Sequence, residues 1–198
     1  MMIQNLHRRG WLSTLAGSNE NSQLELPRAW DPWTVRGLCK LVREQDPKVS
    51  FLMETHLDKG GFKNHCKEVP FQNKLIVKNP NSGGGVALLW KSEVKLKVVN
   101  YTENHILAKV VEEDGFMWHL TGFYGWPKAS QKHKSWALLS HLATLVEGPW
   151  CCIRDFNAIL LSAEKQSKHP PPYKQMEEFG LALDSCGLCE RPCPRPVL

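Results

Sequence analysis

The chain has 198 residues, 42% of them hydrophobic, which is long enough for one domain with a sizeable core and too short for two. A formal net charge of +5 is compatible with a polyanionic partner but does not amount to a polybasic patch. No apolar run reaches the ~18 residues needed to cross a bilayer, and seven cysteines, an odd number without regular spacing, exclude a secreted disulfide scaffold in favour of free thiols in a reducing compartment.

Residues 1–30 read as a poorly ordered leader. Met1 to Gly17 contains Arg8, Arg9, Trp11, Leu12 and Leu15 and no acidic residue, a composition that also suits a mitochondrial presequence. A polar linker, Ser18 to Ser22, leads to Gln23–Trp30, which pairs only weakly as a strand because Pro27 interrupts it. From Asp31 the pattern sharpens into a domain over 31–188, followed by a tail over 189–198. Asp31 is placed to cap a helix that Pro32 opens, and Val35, Leu38, Leu41 and Val42 recur at helical spacing up to about Gln45. Asp46-Pro47 ends it, and Val49 to Met53 is a buried strand that stops at the carboxylate of Glu54.

The middle third is a series of strands. Lys74–Val77 and Val86–Trp90 flank a turn over Asn79–Gly85 that supplies positive φ. Its glycines do not form a phosphate loop, because no Gly-Lys-Ser/Thr ending follows and a strand stands where a helix should. Val94 to Tyr101 alternates as a half-buried strand, and Ile106–Val111, the turn at Glu112–Gly115 and Phe116–Tyr124 complete an antiparallel series. Strands in runs with helices between them indicate an α+β layered domain. Ser130 is placed to cap a helix with Trp136, Leu139, Ala143 and Val146 on one face, which Gly148-Pro149 stops. His133 and His141 on that helix, eight apart with no acidic partner, read as surface residues rather than ligands. The strand Trp150–Asp155 follows, apolar until it ends in Asp155 and Asn157, a pattern that delivers polar groups at a strand's C-terminal end. A last helix carries Met176, Phe179 and Leu183 on one face and ends at Gly187. Cys186 and Cys189 form half of a zinc-site spacing, but a closed site needs four ligands and no second pair lies near.

The ordered set of Glu54 in Phe-Leu-Met-Glu-Thr, the Ser82–Trp90 turn and strand, Tyr124 in Thr-Gly-Phe-Tyr-Gly-Trp-Pro, and Asp155 with Asn157 resembles the endonuclease/exonuclease/phosphatase family. The resemblance is strongest to the apurinic-endonuclease-like domain of plant LINE-type retrotransposons, and it covers roughly Asp31 to Leu188. It implies a DNase I-like, four-layered α/β sandwich of two mixed sheets flanked by helices, and a divalent-metal phosphodiesterase that cuts DNA. It implies further that Glu54 binds Mg²⁺, that Asp155 orients or deprotonates the attacking water, and that Asn157 and Tyr124 stabilise the phosphate. Nuclear residence is implied in the same way.

Departures from the family pattern qualify this. The family's opening strand ends in an Asn-x-x-Gly-Leu type motif, and the two possible registers put Thr34 or Glu25 at the Asn position. Arg154 stands where the family usually has Gly, and it is expected to crowd Asp155 or compete for its charge. The chain reaches Leu198 without the family's closing strands and Asp-His pair. The expectation is therefore a sandwich with an incomplete second half, little or no catalysis, and self-association through exposed sheet edges. Two alternatives stand beside it: a non-catalytic nucleic-acid or protein-binding module, and an active Mg²⁺-dependent DNA endonuclease.

Overall fold

The computed structural model describes residues 39–40, 42–54, 70–80, 84–161 and 173–188, with the backbone of Leu12–Leu15. They fall into two units, one comprising Met1–Tyr124 and Val146–Asp155, the other Gly125–Leu145 and Phe156–Leu198. The sequence expectations at Glu25, Asp31, Pro32, Thr34, Ser82 and Cys189 lie outside the described residues.

The first unit holds two four-stranded sheets. One contains β1 (Leu12–Leu15), β2 (Val49–Met53), β3 (Asn73–Lys78) and β4 (Gly85–Trp90) in the order β1-β2-β4-β3. The other contains β5 (Lys95–Thr102), β6 (His105–Val111), β7 (Met117–Tyr124) and β8 (Trp150–Asp155) in sequence order. Both sheets are mixed, because β1–β2 and β7–β8 are parallel and the remaining pairs antiparallel. The α+β class and the two mixed sheets are thus those expected. Within the segment read as a leader, Leu12–Leu15 is a strand, in parallel register from Leu12↔Val49 to Leu15↔Leu52. Its Leu-Ser-Thr-Leu sequence has no two-residue alternation, so only the long-range pairing with β2 defines it.

The sheets meet on a shared apolar face. Val49 and Phe51 of β2 with Val86 and Leu88 of β4 pack with Ile106, Ala108 and Val110 of β6, Trp118 and Leu120 of β7, and Ile153 of β8. Each of the larger side chains contributes about 1.5–3 kcal/mol by leaving water. Gly122 is required in this layer: a Cβ there would lie 2.1 Å from Phe51 Cδ2. On the opposite face of β2 and β4, Ser50, Leu52, Ala87 and Leu89 are also buried, so these strands are near-continuous apolar runs rather than alternating ones. β5 does alternate, but a register shift between Val98 and Asn100 leaves both Val99 and Tyr101 about half exposed, at 49% and 54%. Ahead of β2 the chain is helical at 42–45, and Asp46 closes that turn with φ 41° and an N–H donated to the Val42 carbonyl at 2.9 Å.

The second unit contains a 3₁₀ turn at Ala129–Gln131, α1 (Lys132–Leu145) and α2 (Tyr173–Ser185). Ser130 lies inside the 3₁₀ turn and does not cap the helix; the preceding position is Lys128, which makes no side-chain cap. Trp136 and Leu139 are buried as expected, but Leu142 takes the place expected of Ala143 and Val146. His133 and His141 are exposed. Phe179 of α2 stacks on Trp136, with centroids 4.8 Å apart, and meets Phe156 edge-on at 5.0 Å. α2 ends as expected at Gly187, whose φ of 64° lets Leu188 N–H reach the Leu183 carbonyl at 3.0 Å. No described helix is long and apolar enough to cross a membrane.

Candidate active site

Three strand ends of the first unit carry the candidate residues. β7 and β8 run parallel with Tyr124 in register with Asp155, so these two side chains lie next to each other on one face. That face is the inter-sheet one, since Tyr124 and Cys151 pack against the core and Ile153 belongs to it. β8 therefore presents Cys151, Ile153 and then Asp155 in one row, apolar until its last member. Arg154, expected to crowd Asp155, falls by the same alternation on the other face of β8, in register with Phe123. The pleat assigns the cation and the carboxylate to different faces.

Glu54 reaches this row by a break in alternation. In β2, Val49 and Phe51 face the second sheet and Ser50 and Leu52 face away, so a regular continuation would send Glu54 outward with Leu52. Its φ is 53°, a left-handed conformation that is uncommon for glutamate. The Tyr124 hydroxyl donates a hydrogen bond to Glu54 Oε1. The structure thus brings Glu54 and Tyr124 into contact, with Asp155 beside Tyr124 across the β7–β8 pair. Since β1 is parallel to β2 and ends opposite Leu52, its C-terminal end reaches this same sheet edge.

Asn157 belongs to the second unit. It also has a left-handed backbone, φ 52°, which asparagine adopts readily, and its Nδ2 donates to the Gly125 carbonyl at 2.8 Å.

One residue that the sequence reading passed over supports Tyr124 directly. Asn104, 5% exposed, accepts the Tyr124 N–H at its own carbonyl (2.7 Å) and donates its side-chain Nδ2 to the Tyr124 carbonyl (2.8 Å). A turn asparagine is expected for local reasons, so nothing in the sequence separates this one from any other.

Among the described residues no group of three or more His, Cys, Asp or Glu is placed to hold a metal. The donors at the strand ends are instead the hard carboxylate oxygens of Glu54 and Asp155, a set that suits Mg²⁺, which takes one or two carboxylates and keeps several waters.

No family model matches the chain, and no curated protein sequence matches it. Solved structures do. An endonuclease/exonuclease/phosphatase family protein from Bacteroides thetaiotaomicron aligns over 85% of this chain and 66% of its own, with TM-score 0.57 and 13% identity. The chain has a DNase I-like α+β fold. A mannosyl-6-phosphatase from the same organism gives TM-score 0.56 at 14% identity, over 85% of this chain and 68% of its own. The endonuclease domain of TRAS1, a telomere-specific non-LTR retrotransposon, gives 0.55 at 11% identity, over 89% and 69%. The chain thus spans about two thirds of the length of these endonuclease/exonuclease/phosphatase structures, and at such identities the likeness is one of fold.

Proposed function

We propose that this chain is a phosphodiesterase-type domain of retrotransposon descent, of the plant LINE kind, whose strand-end site binds a divalent cation and a nucleic-acid phosphate and hydrolyses DNA at a low rate. The observation that carries the proposal is the Tyr124–Glu54 hydrogen bond beside Asp155, at the end of the apolar rows of two facing sheets. A glutamate in the left-handed region costs on the order of 1–3 kcal/mol, and outliers of this kind concentrate at functional sites.

Glu54 is the residue that would hold Mg²⁺, with Asp155 the second carboxylate of the site. When bound, the cation supplies positive charge against the phosphate oxygens. Tyr124 fixes the Glu54 carboxylate through its hydroxyl, and Asp155 orients a water and accepts its proton. The role of Asn157 as a phosphate donor rests on the family resemblance. The net charge of +5 is compatible with a polyanion, and the endonuclease domain among the similar structures is of a retrotransposon. The test is nicking of supercoiled plasmid by the full chain with Mg²⁺, with EDTA, and in the Glu54→Ala variant. Slow nicking that needs the metal and is lost in Glu54→Ala is the expected result. Salt-sensitive DNA binding with no nicking would replace hydrolysis by binding alone.

A further inference from the structure

We infer that Asn104 is a positioning residue for the Tyr124–Glu54 pair, a reading that rests on the proposed site and extends it to a residue outside it. The β6–β7 ladder ends at His105↔Phe123, so Asn104 and Tyr124 form the next pair along. A hydrogen-bonded antiparallel pair exchanges two backbone bonds, and only one of them is made by backbone here, from Tyr124 N–H to the Asn104 carbonyl at 2.7 Å. The Asn104 N–H is turned away and donates to Thr102 Oγ1 at 3.2 Å within the turn between β5 and β6. The side-chain amide takes over the second bond and donates to the Tyr124 carbonyl at 2.8 Å.

Tyr124 is the last residue of β7, where the β6–β7 ladder has ended and only the pairing with Asp155 of β8 continues. Both of its peptide groups' polar atoms are nevertheless held by one residue, and that residue is buried. The backbone of Tyr124 sets the Cα–Cβ direction from which its phenol reaches the Glu54 carboxylate. Asn104 touches neither reacting atom, so its effect passes through Tyr124.

The full chain, labelled with ¹³C at the hydroxyl-bearing ring carbon of tyrosine, gives three signals, one from each of its three tyrosines. Tyr101 and Tyr173, 54% and 70% exposed, serve as internal controls. Glu54→Ala defines the Tyr124 signal without its carboxylate partner. Asn104→Ala is expected to move the Tyr124 signal most of the way to that position while the two controls stay still. A Tyr124 signal unchanged in a folded Asn104→Ala protein overturns the inference. Should Asn104→Ala fail to fold, Thr102→Val, which removes the acceptor of the Asn104 N–H, decides instead: a partial shift in the same direction supports the inference, and none overturns it. In nicking assays Asn104→Ala is expected to lower the rate about tenfold, the worth of one hydrogen bond, and to have no further effect in a Tyr124→Phe background. Full additivity there also overturns it. Absence of nicking in the parent chain bears on the proposed activity alone, because the spectroscopic shift does not depend on it.

Discussion

Gly122 of one sheet lies against Phe51 of the other, and Gly122→Ala tests that packing. The added methyl would stand 2.1, 2.3 and 2.6 Å from Cδ2, Cε2 and Cγ of Phe51. Carbon pairs settle at about 3.5–4.0 Å, so relief requires a displacement of roughly 1.5 Å. Phe51 is 0% exposed and packed among the apolar residues of both sheets, so its ring cannot swing clear and the strands must separate. Interiors packed at crystal-like density resist this. The cost belongs at the top of the overpacking range, about 3 kcal/mol, or a fall in Tm of about 6–12 °C for a chain of this size. Thermal and urea unfolding followed by circular dichroism measure it. Phe51→Val on its own also destabilises, by losing packing, but the double variant is expected to be more stable than the sum of the singles by at least about 1 kcal/mol, since the methyl then fills the space the ring left. A Gly122→Ala protein within about 0.5 kcal/mol of the parent, or strictly additive effects, would refute the close approach.

Glu54→Gly and Glu54→Ala both remove the carboxylate, but only glycine is at ease at φ 53°. Glu54→Gly is therefore expected to be the more stable by about 1 kcal/mol, and equal stabilities in urea would count against the left-handed backbone. Burial, and then the neighbouring Lys109 charge, hold His119 below its ordinary 6.5, while Glu147 pulls the other way. The unfolded chain thus takes up a proton that the folded one resists, so stability falls as pH drops through 6.5, and His119→Gln should flatten that loss. Urea midpoints on either side of this pH decide it, and a loss unchanged in His119→Gln would exclude the assignment. Burial pushes the Cys151 thiol up to about 11, leaving roughly one thiolate in a thousand at pH 8. Iodoacetamide should therefore spare Cys151 in the native protein and modify it in urea, as read by peptide mass; rapid native labelling would contradict the raised thiol pKa.

Most strands were legible because their burial is written in local pattern. β2 and β4 are apolar on nearly every residue because both faces are covered, and β5 alternates up to its bulge. Glu54 and Asp155 read locally as polar groups closing apolar runs, whereas Tyr124 joined them only through the family resemblance. Other features depend on partners distant in sequence. β1 is four residues without a pattern of their own. The side of β8 that Arg154 occupies follows from register with β7, not from its adjacency to Asp155. The Glu54 carboxylate meets a tyrosine 70 residues away. Asn104 is hidden for a similar reason: its turn would accept asparagine in any case, and its second role appears only when β7 ends beside it.

The proposed role of the Glu54–Tyr124–Asp155 strand ends is that of a metal-assisted phosphodiester site. Plasmid nicking by the full chain, measured with Mg²⁺ and with EDTA alongside Glu54→Ala and Asp155→Asn, tests it most directly. The parent chain with Mg²⁺ is expected to convert supercoiled to open-circular DNA slowly, and EDTA or either substitution to abolish the conversion. Nicking that persists unchanged in Glu54→Ala or in EDTA, or no nicking by a chain shown to be folded, would contradict it.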